Sequence, residues 1–230
     1  MPRALKLKYL LFLAIFNLGT YFVIQNLVTT HQFNFLTEVD EAIPLMPNYI
    51  WLYHTLLPGI AITMLSLFKT KRAFLTTFWA SILATLIINF FYIFLTSFYP
   101  REGFEITNMS EALLSATRKL DGSNNTFPSG HVAFSWLMYI GITKSEIANK
   151  IQGLKWTYLL WAIGISMSTL VLKQHYIADV ICGIFLAYVS YYVAGLFVNY
   201  LSVRRRSIYS EDDSHVQKDS EKQKATEKAL

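Results

Sequence analysis

Residues 73–98 read AFLTTFWASILATLIINFFYIFLTSF, twenty-six positions without an Asp, Glu, Lys or Arg. A helix needs about 20 mostly apolar residues to cross a hydrocarbon layer about 30 Å thick, so this stretch is long enough to span a membrane. Five further apolar runs, near residues 7–26, 49–68, 129–147, 155–173 and 176–200, have the same character. None shows the strict alternation of a barrel strand, and inside lipid only helices and closed barrels satisfy every backbone group. The expected fold is an all-α polytopic membrane protein, a six-transmembrane-helix bundle over residues 1–203. The fourth run is the least regular, because it starts among Pro128, Ser129 and Gly130 and meets Lys144 early. Arg3, Lys6 and Lys8 precede the first run as they would in a secretory leader. Its apolar stretch is longer than a leader's and no clean small-x-small cleavage site follows, so it reads as an uncleaved span.

Composition points the same way. Of 230 residues 53% are hydrophobic and only 15% charged, which argues against an ordinary soluble domain. Thirteen of the charged residues fall in 204–230, a segment with hardly any large apolar residue. It cannot form a core and reads as a disordered cytoplasmic tail. The net charge of +5 is no nucleic-acid signal, because the basic residues sit at the ends of apolar runs instead of in one patch. The single cysteine, Cys182, excludes an intrachain disulfide. Twelve Lys and Arg fall in the connections on one side of the runs. Only Arg101, Arg118, Lys119 and Lys173 fall on the other. Basic residues favour the cytoplasmic side, so both termini are expected inside and the loops 27–48, 99–128 and 173–176 outside, at the plasma membrane.

Three polar patches then share the outer face: Tyr99-Pro100-Arg101, the segment Asn124 to His131, and the segment Ser168 to Asp179. His175 and Asp179 are four apart, one turn from each other on a helix. A carboxylate there can hold one imidazole nitrogen and leave the other free as a nucleophile or base. Left unpaired in an apolar run, it costs roughly 2.5 to 3.5 kcal/mol on insertion scales. His131 follows a Pro-Ser-Gly turn whose Ser129 and Gly130 amides can face an anion at a helix start, and it can give a proton to a leaving oxygen. Arg101 supplies a planar donor fork suited to phosphate oxygens, though a lone Arg at a span's end can equally anchor to headgroups. Taken together, these residues have the makings of a phosphoryl-transfer site. His31, His54 and His215 read as structural or solvated.

The patches resemble the type 2 phosphatidic acid phosphatase (PAP2) superfamily of integral membrane lipid phosphatases. That pattern is a Lys and, seven residues on, Arg-Pro; then Pro-Ser-Gly-His; then Ser-Arg, five residues, His, three residues, Asp. Pro128-Ser129-Gly130-His131 matches in full, and His175 with Asp179 matches the end of the third motif. Phe94 stands at the Lys position, Glu102 follows Arg101 where Pro is expected, and Thr169 takes the third motif's Arg position. The resemblance covers about residues 45–200. It implies that His175 attacks phosphorus, Asp179 orients it and His131 protonates the leaving oxygen. Arg101, Lys173 and the Ser129 and Gly130 amides would hold the equatorial oxygens, Lys173 standing in for a missing cation.

The expected function is therefore hydrolysis of a membrane lipid phosphate, such as phosphatidate, phosphatidylglycerol phosphate or a polyprenyl diphosphate. A lipid phosphotransferase and a non-catalytic lipid-binding or transport protein are the alternatives. The expected partners are that lipid and the bilayer. No cofactor or metal is expected, since both histidines and Asp179 have assigned roles; zinc held by His131, His175 and Asp179 would lack an obvious fourth ligand.

Overall fold

A computed structural model of the chain describes the backbone of residues 2–28 and 32–228, and side chains of those residues as far as Arg204. Ten α-helices follow in order: α1 (Arg3–Leu27), α2 (Glu38–Ala42), α3 (Ile50–Tyr53), α4 (Leu56–Ser66), α5 (Lys71–Phe94), α6 (Met109–Leu120), α7 (Gly130–Thr143), α8 (Ile147–Lys150), α9 (Leu154–Val171) and α10 (Ile177–Lys228). Among the described residues there is no strand, only two isolated bridges, Phe33 with Ser97 and Phe98 with Asn124. The chain divides into two compact units, residues 1–194 and Gly195–Leu230, the second continuing helix α10. The side chains of the expected disordered tail, from residue 205 onward, lie outside the described residues, as do His31 and His215.

Among the described residues five segments are long and apolar enough to cross a membrane: Arg3–Leu27, Pro47–Lys69, Lys71–Phe94, Leu154–Val171 and Ile177–Arg204. The count of six is not reached by length. The fourth expected span, 129–147, is helix α7 of 14 residues, or about 21 Å at 1.5 Å per residue. Its burial shows why a short helix suffices there. Val132, Ala133, Leu137, Met138, Ile140 and Ile142 are all buried, and α4, α5 and α9 pack around it. A helix apolar on all sides belongs in an interior. Helix α1 is the opposite case, exposing Leu7, Leu11, Phe12, Ile15 and Val23 along its length. The second segment is interrupted, running through a 3-10 turn, α3, a break at His54 and Thr55, then α4.

Two local features position the site. The 99–128 stretch, expected as loop, holds the amphipathic helix α6. Asn108 and Glu111 form a capping box at its start, each side chain bonded to the other's backbone N–H. Trp51 Nε1 donates to Ser110 Oγ (3.0 Å), His54 Nε2 meets Thr117 Oγ1 (2.9 Å), and Leu114 packs with Ile50, Tyr53 and Leu172. Near the Pro-Ser-Gly turn, a Cβ at Gly183 would come within 2.8 Å of the Ser129 carbonyl. The missing side chain thus allows the first part of α10 to lie against the start of α7.

Candidate active site

Helix α9 ends at Val171, and the chain turns through Lys173, whose φ of 55° is left-handed. The Gln174 and His175 N–H groups both donate to the Thr169 carbonyl, at 3.0 and 3.2 Å. This turn delivers His175 to the mouth of α10. Its Nδ1 lies 2.8 Å from the Thr126 carbonyl and 3.2 Å from Asp179 Oδ2. Both partners accept only, so the proton sits on Nδ1 and the lone pair is left on Nε2. Asp179 is 0% exposed, and the same Oδ2 also accepts the Tyr176 N–H at 3.0 Å.

His131 occupies the first turn of α7, its ring centroid 6.1 Å from that of His175. Tyr53 stacks on it at 4.2 Å, and the Tyr53 hydroxyl lies 3.4 Å from His131 Nδ1. That hydroxyl donates to Asp121 Oδ2 at 3.1 Å, and Tyr21 donates to Asp121 Oδ1. Arg101 donates through Nη2 to Gln174 Oε1 and through Nη1 to the Arg118 carbonyl at 3.4 Å. Burial lowers the pKa of Arg101, and the Asp121 carboxylate opposes that fall. Burial, followed by the nearby Arg101 charge, lowers Arg118 to about 10. Arg118 is braced elsewhere, donating to the carbonyls of Glu102 (2.9 Å) and Leu172 (3.0 Å).

Arg101, His131 and His175 line one small cavity together with Tyr21, Tyr92, Asp121, Asn124, Asn125, Thr126 and Gln174. The structure thus brings together three of the seven residues singled out from sequence, with Asp179 directly behind His175. It does not bring the other three there. The Ser129 N–H donates to the Asp179 carbonyl at 3.2 Å, and its hydroxyl caps α7 by accepting the Val132 N–H at 3.4 Å. With α10 lying close against this turn, neither Ser129 nor Gly130 lines the cavity. Lys173 points to helix α2, where Nζ donates to the carbonyls of Asp40 (2.6 Å) and Glu41 (3.3 Å). Its left-handed backbone and the pull of helix α2's carbonyls turn the ammonium away from His175. The positions where the resemblance would have a cation are equally without one: Phe94 is exposed, and the Thr169 hydroxyl is turned to the Ser166 carbonyl at 2.7 Å.

Asn125, Gln174, Tyr53 and Asp121 carry no marked role in the sequence. Two signals pointed to them: Gln174 is an amide immediately before the reactive histidine, and Asp121 opens a turn-forming Asp-Gly-Ser-Asn stretch. Among the described residues no group of three His, Cys, Asp or Glu is placed to hold a metal ion.

Helices apolar enough for a membrane, together with a polar cavity that has two histidines at its wall, are consistent with an integral membrane protein. Residues 97–202 match the family model of the PAP2 superfamily, consistent with membership of that superfamily. The family's chemistry is that of phosphatases and phosphotransferases acting on phosphorylated substrates. No curated protein and no solved structure matches the chain.

Proposed function

We propose that the protein is a lipid phosphate phosphatase working through a phosphohistidine. The observation that carries the reading is the His175 ring, tied at Nδ1 by a carbonyl and a carboxylate so that Nε2 is the free nucleophile. Nε2 forms the bond to phosphorus while the bond from phosphorus to the lipid oxygen breaks, and His131 gives that oxygen its proton. Arg101 holds the phosphoryl oxygens. Water then attacks the phosphohistidine, His131 takes its proton, and phosphate leaves with His175 restored.

In this reading α7 serves as the sixth, internal crossing. The termini face the cytoplasm and the cavity faces outward at the plasma membrane, as the basic-residue bias supports. The charge of the cavity favours a second reading. Among the described residues Arg101 is the one Lys or Arg lining it, set against the Asp121 carboxylate, and so little positive charge suits a singly charged phosphodiester. The phosphoryl unit would then pass to another alcohol instead of to water. Purified protein in mixed micelles, given a panel of lipid phosphates, is expected to release inorganic phosphate without an added acceptor. Transfer to an added acceptor lipid without release of inorganic phosphate would favour the transferase, and binding without turnover would sink both.

A further inference from the structure

We propose that Gln174 and Asn125 are ligands of the substrate's phosphoryl oxygens, neutral amide donors acting where the cavity has few cations. The inference rests on the phosphoryl-transfer reading above and specifies how the group is held. Gln174 is 1% exposed, and its Oε1 accepts from the Arg101 guanidinium. A guanidinium only donates, so the carbonyl end of the amide must face it and the NH2 end must face away. That Nε2 has no partner, although it is buried in the wall of the cavity. Arg101 Nε, in the same wall, has none either.

Asn125 repeats the pattern from the other side. It is 4% exposed and left-handed at φ 62°, a conformation that Asn tolerates better than most residues. Its N–H is held by the Ser97 carbonyl at 2.9 Å, while neither Oδ1 nor Nδ2 of the side chain has a partner. The next residue, Thr126, supplies the carbonyl that fixes His175 Nδ1. The Asn125 amide is therefore set beside the nucleophile by the same stretch of backbone that orients it.

Buried polar groups are almost always satisfied, and here three donors from three separate connecting segments are left open toward one cavity. Water can serve them at rest. A phosphoryl group brings several lone pairs at once and matches a set composed mainly of donors. Each amide then acts as a preorganised dipole on the oxygens whose charge is spread in the transition state.

The test uses purified full-length protein, orthovanadate binding by calorimetry, and phosphate release from a lipid phosphate. Gln174→Met keeps the bulk without the donor, and Asn125→Gly keeps the left-handed backbone without the amide. Each is expected to lower kcat by about 100-fold to 1,000-fold and to weaken vanadate by about tenfold, with thermal unfolding close to the parent. Gln174→Glu and Asn125→Asp, near-isosteric but acidic, should bind vanadate more weakly still. They decide the matter if the first pair folds poorly. Variants that fold and stay within about threefold of the parent in both readouts would overturn the proposal, as would a parent that does not bind vanadate. A parent that binds vanadate through these amides but releases no phosphate would instead overturn the hydrolase reading and leave the amide ligands in place.

Discussion

The two histidines of the cavity are held in contrasting ways. His175 is gripped at one nitrogen by acceptors in direct contact, one a carbonyl and one a buried carboxylate. His131 rests under an aromatic ring and reaches its nearest carboxylate, Asp121, only through the neutral hydroxyl of Tyr53. A direct carboxylate fixes one tautomer and steadies the positive ring that forms when the other nitrogen bonds phosphorus. A neutral hydroxyl neither fixes a charge nor requires one, so that ring can carry a proton to an oxygen and later take one back. In the proposed reaction the same residue type is thus suited to two tasks by what stands behind it, attack at His175 and proton transfer at His131.

The largest effect should come from breaking the grip on His175. His175→Ala should abolish turnover and the phosphohistidine together. Asp179→Asn leaves the shape intact but can offer an N–H to Nδ1, which would move the ring proton to Nε2 and remove the nucleophilic lone pair. A loss on the order of 10,000-fold in kcat is expected, by analogy with the tautomer effect in serine-protease triads. Initial rates and acid-labile phosphate on the protein measure both. An Asp179→Asn enzyme within about tenfold of the parent would show that the Thr126 carbonyl alone holds the ring.

Smaller effects are expected on the other side, and they should depend on the substrate. His131→Ala should cost about 100-fold to 10,000-fold with a lipid phosphate, whose alkoxide leaves poorly, and far less with nitrophenyl phosphate, whose phenolate needs no proton. Tyr53→Phe keeps the stacked ring and removes only the hydroxyl. One hydrogen bond of about 0.5 to 1.5 kcal/mol corresponds to roughly 2-fold to 13-fold in rate. Asp121→Asn added to Tyr53→Phe should change little more, because the link to His131 is already cut. Equal losses on both substrates for His131→Ala would erase the distinction between the histidines.

Much of this was legible in one dimension and some of it could not be. The apolar runs located the long helices because membrane spans announce themselves by length and composition. α7 was harder: its run looked like a span, but the helix is only 14 residues long and most of its aliphatic side chains are buried among its neighbours. His175 and Asp179 stood out through their spacing, and His131 through the Pro-Ser-Gly turn before it. Tyr53 and Asp121 come from α3 and from the end of α6, and their convergence on His131 is a matter of packing that no spacing records. Helix α6 itself left a readable trace in Asn108 and Glu111, the two ends of its capping box. The position of Lys173 was the least accessible, because a left-handed φ at a lysine has no sequence signal.

Lys173 therefore gives the smallest effect, and the sharpest one for the His175 side of the comparison. Beside a reactive histidine and near a missing Arg, its charge invited the role of phosphate ligand. In the structure its ammonium meets the last carbonyls of helix α2, where cations are favoured. Helix α2 in turn reaches the site's own scaffold, since Asp40 Oδ1 accepts the Ile177 N–H at 2.8 Å and caps the start of α10. Lys173 and Asp40 thus form two ends of one clasp between helix α2 and the turn that carries His175. Lys173→Gln should lower thermal stability while vanadate affinity and kcat remain within about threefold, a shift of under roughly 0.7 kcal/mol. Lys173→Asn should be the milder change, because Asn accepts the left-handed backbone at less cost than Gln. Asp40→Asn weakens the same clasp and should act on stability in the same direction. A Lys173→Gln protein that melts like the parent yet loses vanadate tenfold or more would mean that the ammonium swings into the cavity when the site is occupied, and the clasp would then be only its resting place.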